Sequence, residues 1–317
     1  MKFNQEILDA VFKCPKCKSE RKLTITGDVI FCSECSQEYK IIDGVPCLFV
    51  KENLPDNFDK QTAFFNAESI KRSHGESFKI DAWQRKYIEV FEDYSGVSCA
   101  HEFVSSSDVP PFEGYLLDNG CGSGYMTVGL AGKYKMVVSC DLTLSNLLIL
   151  ERNLEKSNLD NVILCCCSSD NLPLKSGIFD DCCMNAVLEH IPNEKSAISE
   201  LSRVLKPDGK QMLVLPLMYR YLNPLLLLPN IFHDKMIGHL RRYDEKSIYN
   251  KFKFSFNIEK IFYTGHTKKA FKILMNSALN VSFDWDKVEE EDMRKQNVKR
   301  YASNIACLLK RKLEGKI

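Results

Sequence analysis

A chain of 317 residues is long for one domain and comfortable for two, and its 44% hydrophobic side chains suffice for a sizeable core. Its 43 basic and 42 acidic side chains nearly cancel, which excludes a global field that recruits nucleic acid or an acidic membrane; any such recruitment has to be local. The opening Met1–Glu6 lacks the basic-then-apolar layout of a signal peptide, and no apolar run reaches the roughly 18 to 20 residues of a spanning helix, so a cytoplasmic location is expected.

Four of the 14 cysteines, Cys14, Cys17, Cys32 and Cys35, are spaced as C-x-x-C, fourteen residues, then C-x-x-C. Each pair turns two sulfurs inward from a tight knuckle, and two knuckles complete the tetrahedron of a structural Zn2+ site. A disulfide framework competes, but no secretory signal precedes it, and the other ten cysteines fall mostly in expected buried strands. There Cys165–Cys167 and Cys182-Cys183 read as small hydrophobes. An apolar strand, Tyr39–Phe49, closes the module near residue 50. Residues 1–50 carry seven Lys/Arg against seven Asp/Glu and few aromatic side chains, poor material for phosphate contact or base stacking. The ribbon therefore reads first as a structural prop. The alternative is an RNA-docking module, with Lys16, Lys18, Arg21 and Lys22 as contacts.

Residues 51–111 read as a linker at Asn53–Asn57 followed by aromatic-rich helical material from Phe58 to Tyr94. Trp83, Tyr87 and Phe91 fall on one helix face, i, i+4 and i+8, a spacing that suits core packing, with cofactor or substrate lining as the alternative. The stretch Ser105–Pro111 then leads into the next domain.

Leu116-Leu117-Asp118-Asn119 reads as the end of a buried strand that runs into Gly120-Cys121-Gly122-Ser123-Gly124. Glycines at these three positions permit positive φ and let a ligand approach the backbone closely. A dinucleotide fingerprint needs its third glycine one residue later, and a phosphate loop needs Gly-Lys-Ser/Thr, so NAD and ATP are disfavoured. A second strand, Met136–Cys140, ends in Asp141, twenty-one residues beyond Gly120, where an acid at the tip of a βαβ unit accepts from ribose hydroxyls. A third strand, Val162–Cys167, leads into Ser168-Ser169-Asp170-Asn171-Leu172-Pro173, where Asp170 can accept from an adenine amine. A fourth, Asp180–Val187, is followed by Leu188-Glu189-His190-Ile191-Pro192. An amphipathic helix ending in Leu205–Gly209 and a strand Lys210–Leu215 complete the series.

These blocks, in this order, resemble the class I S-adenosylmethionine-dependent methyltransferases, the type 11-like group with the pattern LD-x-GCG-x-G, D, D-x-LP, FD, LEHI, RVLKP-x-G. The resemblance is dense over about residues 112 to 216. It implies an α/β fold, a doubly wound seven-stranded Rossmann-like sheet over 112–317, with a seventh, antiparallel strand at Ser303–Leu309 paired with Phe254–Tyr263. It implies S-adenosylmethionine as cofactor, held by Asp118, Gly120, Cys121, Gly122, Gly124, Asp141, Leu142, Asp170, Asn171, Leu172 and Asn185. Residues 51–111 would cap that cofactor. The module at 1–50 resembles small zinc-ribbon domains fused ahead of such enzymes, and also the ribbon of certain ribosomal RNA guanine methyltransferases.

An insertion at about 216–245 interrupts the pattern. Its part Pro216–Phe232 is too broken by prolines and Arg220 to span a bilayer, and reads either as a helix packed on the domain or as a lid that meets an apolar substrate or the membrane surface. Gly238-His239-Leu240-Arg241-Arg242-Tyr243 is similar to a GH-x-RRY element of methyltransferases acting on glycans, lipids and other small metabolites. If the acceptor is a hydroxyl, a histidine suits removal of its proton. His190, His239 and Tyr243 are the candidates, with pocket lining as the alternative role. Arg241 and Arg242 are read either as a fork for a substrate phosphate or carboxylate or as exposed charges. The expected function is methyl transfer to a sugar, quinone-like or lipid-linked small molecule. Methylation of rRNA or tRNA and a noncatalytic binding module are the alternatives.

Overall fold

The computed structural model describes residues 3–20, 22–51, 62–63, 66, 80–96, 112–279 and 281–313. The linker expected at Asn53–Asn57 and the segment Ser105–Pro111 lie outside these residues, as does most of the expected helical region before residue 80. At the N-terminus, Asn4 accepts from the Ile7 amide at 3.0 Å and so caps α1 (Gln5–Val11). Four short strands follow, β1 (Leu23–Thr26), β2 (Val29–Cys32), β3 (Glu38–Ile42) and β4 (Val45–Pro46), paired antiparallel in sequence order.

This ribbon does not stand apart. Phe12 pairs with Leu174, the Lys13 amide donates to the Pro173 carbonyl at 2.9 Å, and the Lys175 amide returns a bond to Val11 at 2.8 Å. Cys47 pairs alongside Cys166, and the Leu48 amide donates to the Cys166 carbonyl at 2.9 Å. Ile7, Leu8, Val11, Phe12, Ile30 and Leu48 share one apolar core with Leu117, Val138, Leu172 and Leu174. Each such fully buried side chain contributes about 1.5–3 kcal/mol.

Helix α2 (Ala82–Ser95) starts at a capping box between Asp81 and Gln84 and stops at Gly96, whose φ of +79° ends the last turn. It buries Tyr87, Ile88 and Phe91, whereas Trp83, expected on the same face, is 43% exposed at the helix start. The main sheet then forms from β5 (Phe112–Asn119), α3 (Tyr125–Leu130), β6 (Tyr134–Asp141), α4 (Leu144–Lys156), β7 (Val162–Cys166), β8 (Phe179–Asn185), α5 (Glu194–Val204) and β9 (Leu205–Pro216). After it come α6 (Leu227–Ile237), α7 (Glu245–Phe252), β10 (Phe256–Thr264), α8 (Thr267–Leu279), α9 (Trp285–Met293) and β11 (Asn304–Arg311). The strand order is β10-β11-β9-β8-β5-β6-β7. All neighbours from β9 to β7 are parallel, and β11 runs antiparallel between β9 and β10, where the seventh strand was expected. Strands buried on both faces require near-continuous apolar runs, which is what Val162–Cys166 supplies.

One boundary differs. The helix expected to reach Leu205–Gly209 ends at Val204, and Leu205 already pairs with Phe179. Pro207 lacks the N–H that a helix interior needs, and Asp208 has φ +63°, so the backbone there bulges within an extended segment instead.

Candidate functional site

The order of strands reverses at β5, so the turns after β5 and β8 open a crevice at the carboxyl edge of the sheet. The glycine-rich turn lies in it. The amides of its glycines are bonded within the protein. Gly120 and Cys121 both donate to the Cys140 carbonyl, at 2.7 and 2.9 Å, Gly124 donates to Cys121, and Gly122 donates to Asp141 Oδ2 at 2.9 Å. Their purpose is steric. A Cβ on Gly120 would stand 2.3 Å from Val187 Cγ2, and one on Gly124 would stand 2.1 Å from Leu150 Cδ1. Gly122 differs: nothing lies within 4 Å of its missing Cβ, so this glycine faces open space.

Asp141 closes the turn from the tip of β6. Its other oxygen accepts from the Thr143 amide at 2.7 Å and from Asn146 at 3.4 Å, while burial raises its pKa. Asp118 is buried at the end of β5, where it accepts from Thr127 Oγ1 at 2.6 Å and from Cys183 Sγ at 3.4 Å. Burial pushes its carboxyl up to about 6, against those hydrogen bonds. Around the turn, the buried atoms Asn119 Nδ2, Tyr125 Oη and Asn185 Nδ2 have no hydrogen-bond partner among the described residues. Unpaired buried donors of this kind are costly unless a ligand meets them. Trp83 brings the start of α2 to the same place, its ring centroid 5.6 Å from that of Tyr125.

The loop after β7 carries Asp170, which accepts from Ser168 Oγ at 2.5 Å. Two of its neighbours are not where the sequence reading put them. Leu172 is fully buried in the core shared with the ribbon, and its carbonyl accepts from Arg203 at 3.2 Å. Asn171 turns to the first cysteine knuckle, donating to the Pro15 carbonyl at 3.3 Å and accepting from Lys18 Nζ. Cys121 is likewise a core thiol, and Leu142, half-buried, offers its carbonyl to Cys166 Sγ at 3.5 Å.

In the ribbon, the four sulfurs of Cys14, Cys17, Cys32 and Cys35 lie within 4.8 Å of one another. Cys14–Cys35 and Cys17–Cys32 are separated by 3.7 and 3.6 Å, close to the edge of about 3.8 Å of a tetrahedron with Zn–S bonds of about 2.3 Å. They are far beyond the roughly 2.05 Å of a disulfide. The donor set and spacing fit a structural zinc ion.

The insertion wraps the turn after β8. Tyr243, expected at the pocket, is fully buried and donates its hydroxyl to Glu194 at 3.1 Å. Arg241 donates to the Ile191 carbonyl at 2.5 Å and to Pro192 at 3.1 Å, and Arg242 grips Asp234 through two nitrogens at 2.6 and 2.8 Å. Neither arginine is the substrate fork or the exposed charge expected from sequence. His190 and His239 do come together, ring centroids 4.8 Å apart. Burial pushes His190 down to about 4 and lowers His239, so both rings are neutral at pH 7 and His190 is a weak proton acceptor. Sequence reasoning missed Glu189, a fully buried carboxyl pushed up to about 8 by burial, although it adjoins His190 in the same motif. It also missed Asp234, which bonds His239 Nδ1 at 2.9 Å and carries no sequence signal of its own.

Comparison with known proteins adds a family. Residues 117–213 match the model of a methyltransferase domain. The ubiquinone biosynthesis O-methyltransferase of Glaesserella parasuis is 31% identical over 98 residues, 30% of this chain and 42% of that protein. That of Chromobacterium violaceum is 28% identical over 94 residues, 30% of this chain and 40% of that protein. The chain thus spans under half the length of these curated relatives. Among solved structures, the geranyl diphosphate C-methyltransferase of Streptomyces coelicolor A3(2), seen with Mg2+, geranyl diphosphate and S-adenosyl-L-homocysteine, is 15% identical with a TM-score of 0.54, covering 81% of this chain and 98% of that one. The [4+2]-cyclase SpnF is equally similar, 15% identical with a TM-score of 0.54, covering 82% and 98%. At such identities the likeness is one of fold, and the cyclase shows that the fold does not choose the reaction. The strand order and the glycine turn at the carboxyl edge give residues 112–311 the doubly wound fold of these structures, and within it residues 117–213 match a methyltransferase domain, carried behind a four-cysteine ribbon.

Proposed function

We propose that the protein transfers a methyl group from S-adenosylmethionine to a hydroxyl of a quinone-like or lipid-linked small molecule. The observation that carries this reading is the crevice beside β5, where Gly122 leaves open space, Asp141 stands at the strand tip, and three buried polar atoms await partners. The cofactor supplies an electrophilic methyl carbon on a sulfonium, opened by in-line attack. Asp118 and the glycine turn would hold its methionine part, Asp141 its ribose and Asp170 its adenine. Asn119 and Asn185 would gain the hydrogen bonds they lack. What remains for the chain is to align and desolvate, and orientation alone supplies up to about 7–11 kcal/mol of a barrier.

The acceptor class draws on two features. The curated relatives are named for ubiquinone biosynthesis. In the insertion, Leu225, Leu228, Phe232 and Met236 are 50–76% exposed along one side of α6 and the turn before it, an apolar face suited to an isoprenoid tail or to a membrane surface. No helix among the described residues is long and apolar enough to cross a membrane. The ribbon is read as a zinc-held prop, consistent with a reducing cytoplasm and with 13 free thiols among the described residues. RNA docking is disfavoured because Lys16 is bound to Gln37, Lys18 to Asn171 and Lys22 to Glu34. Arg21 lies outside the described residues.

Calorimetric titration with S-adenosylmethionine, run beside an Asp141→Ala variant, tests the reading. Saturable binding that the variant loses, followed by turnover with a quinol acceptor, is expected. Well-folded protein that does not bind would overturn it and favour a noncatalytic module.

A further inference from the structure

Behind the glycine turn, beyond Val187, three donor atoms converge from two distant stretches of chain. Glu189 and His190 come from the turn after β8, and His239 comes from the residue pair that follows α6. One ligand atom from each lies within 4.8 Å of the others, and Glu189 Oε1 stands 3.6 Å from His239 Nε2. Two ligands on one ion at about 2.1 Å, set at a tetrahedral angle, are separated by about 3.4 Å. The observed spacing is that of a site rather than of a direct hydrogen bond.

Two independent features point to a cation. Glu189 is 0% exposed, and neither of its carboxylate oxygens has a hydrogen-bond partner among the described residues. A carboxylate so placed is costly unless a positive charge meets it. His239 is also prepared: its Nδ1 bonds Asp234 Oδ1 at 2.9 Å, which turns the Nε2 lone pair toward Glu189. Asp234 is itself clamped by Arg242 and by the Tyr219 hydroxyl. A carboxylate behind a histidine is the usual support of a metal-ligating imidazole. The backbone reinforces the closure, since the Leu240 amide donates to the Glu189 carbonyl at 2.9 Å.

We propose that Glu189, His190 and His239 bind one divalent first-row transition ion, separate from the ribbon zinc. Two imidazoles and one carboxylate leave coordination positions open, the arrangement of sites that take an oxygen ligand. An acceptor hydroxyl bound there would ionise more easily, its proton passing to solvent water, so that no protein side chain need act as the base. That role rests on the proposed methyl transfer; the metal site itself does not.

The test is elemental analysis and absorption spectroscopy on the full zinc-loaded chain after addition of Co2+ and gel filtration. Two metal ions per chain are expected, the second giving weak visible bands without sulfur-to-cobalt charge transfer. Glu189→Gln and His239→Ala should each hold one ion while retaining the ribbon zinc and cofactor affinity, and Asp234→Asn should weaken the second site by about 10–100-fold. A wild-type chain that holds only one ion, or variants that still hold two, would overturn the proposal. Because this count involves neither cofactor nor turnover, it fails independently of the methyl-transfer reading.

Discussion

Lys86 joins α2 to α9, and replacing it with methionine should be severely destabilising. The side chain is 6% exposed, and its ammonium lies 2.8 Å from Glu289 Oε2 and 3.5 Å from Asp292 Oδ2, both on α9. Burial alone would lower its pKa, yet the charges around it prevail and raise it. Removing one partner of a buried pair costs about 3–5 kcal/mol, since the other charge stays buried. The lower end applies here. Glu289 keeps Lys269 at 2.6 Å, and Asp292 keeps the amides of Gly265 and His266 and the His266 ring, each at 2.8 Å. At about 2–4 °C per kcal/mol for a domain of this size, Lys86→Met should lower the melting temperature by about 6–12 °C in calorimetry. Since α2 also carries Trp83 to Tyr125, cofactor affinity should fall with stability. A loss below about 1 kcal/mol, the value of an exposed pair, would refute the reasoning.

Other outcomes follow from the crevice and the insertion. Gly124→Ala places a Cβ at φ +87° against the buried Leu150, so about 2–5 kcal/mol of stability should be lost in urea unfolding. Gly122→Ala, at φ +54° with nothing nearby, should cost only about 1–2 kcal/mol yet weaken S-adenosylmethionine binding at least tenfold; unchanged affinity would show that the cofactor does not lie against this glycine. Affinity for this cationic cofactor should drop about tenfold from pH 7.5 to pH 5, because a carboxyl with a pKa of about 6 is only about one-tenth ionised at pH 5. The same raised pKa means that the cofactor-free fold loses stability as pH climbs from about 4 through 6; Asp118→Asn should flatten both profiles. Leu228→Glu with Phe232→Glu should reduce co-sedimentation with lipid vesicles and raise KM for a long-tailed acceptor while leaving the melting temperature within about 2 °C, since both side chains are more than 70% exposed.

The sheet was legible because its strands announce themselves locally. Apolar runs, the glycine turn and Asp141 twenty-one residues on all lie within the reach of a βαβ pattern. The cysteine spacing similarly carries its own geometry. What sequence could not show is where side chains point once distant segments meet. Asn171 sits in a motif expected to face the cofactor, yet the ribbon, more than 150 residues earlier, takes its amide. Arg241, Arg242 and Tyr243 look like substrate contacts because charge and hydroxyl are visible, whereas the carbonyls and carboxylates that occupy them come from Ile191, Asp234 and Glu194. Glu189 read as a polar member of a turn. Only the packed structure shows that it is wholly enclosed.

The union of ribbon and sheet has a consequence for how the chain is made. Val50 leaves the ribosome 124 residues ahead of Leu174. At about 5–20 residues per second, the apolar side chains of Ile7, Leu8, Val11 and Phe12 wait about 6–25 s for the loop segment that packs against them. During that interval the nascent module is a natural client for a chaperone. A stall or a rare-codon stretch between residues 50 and 174 would therefore reduce the yield of native protein without altering a single contact in the finished fold.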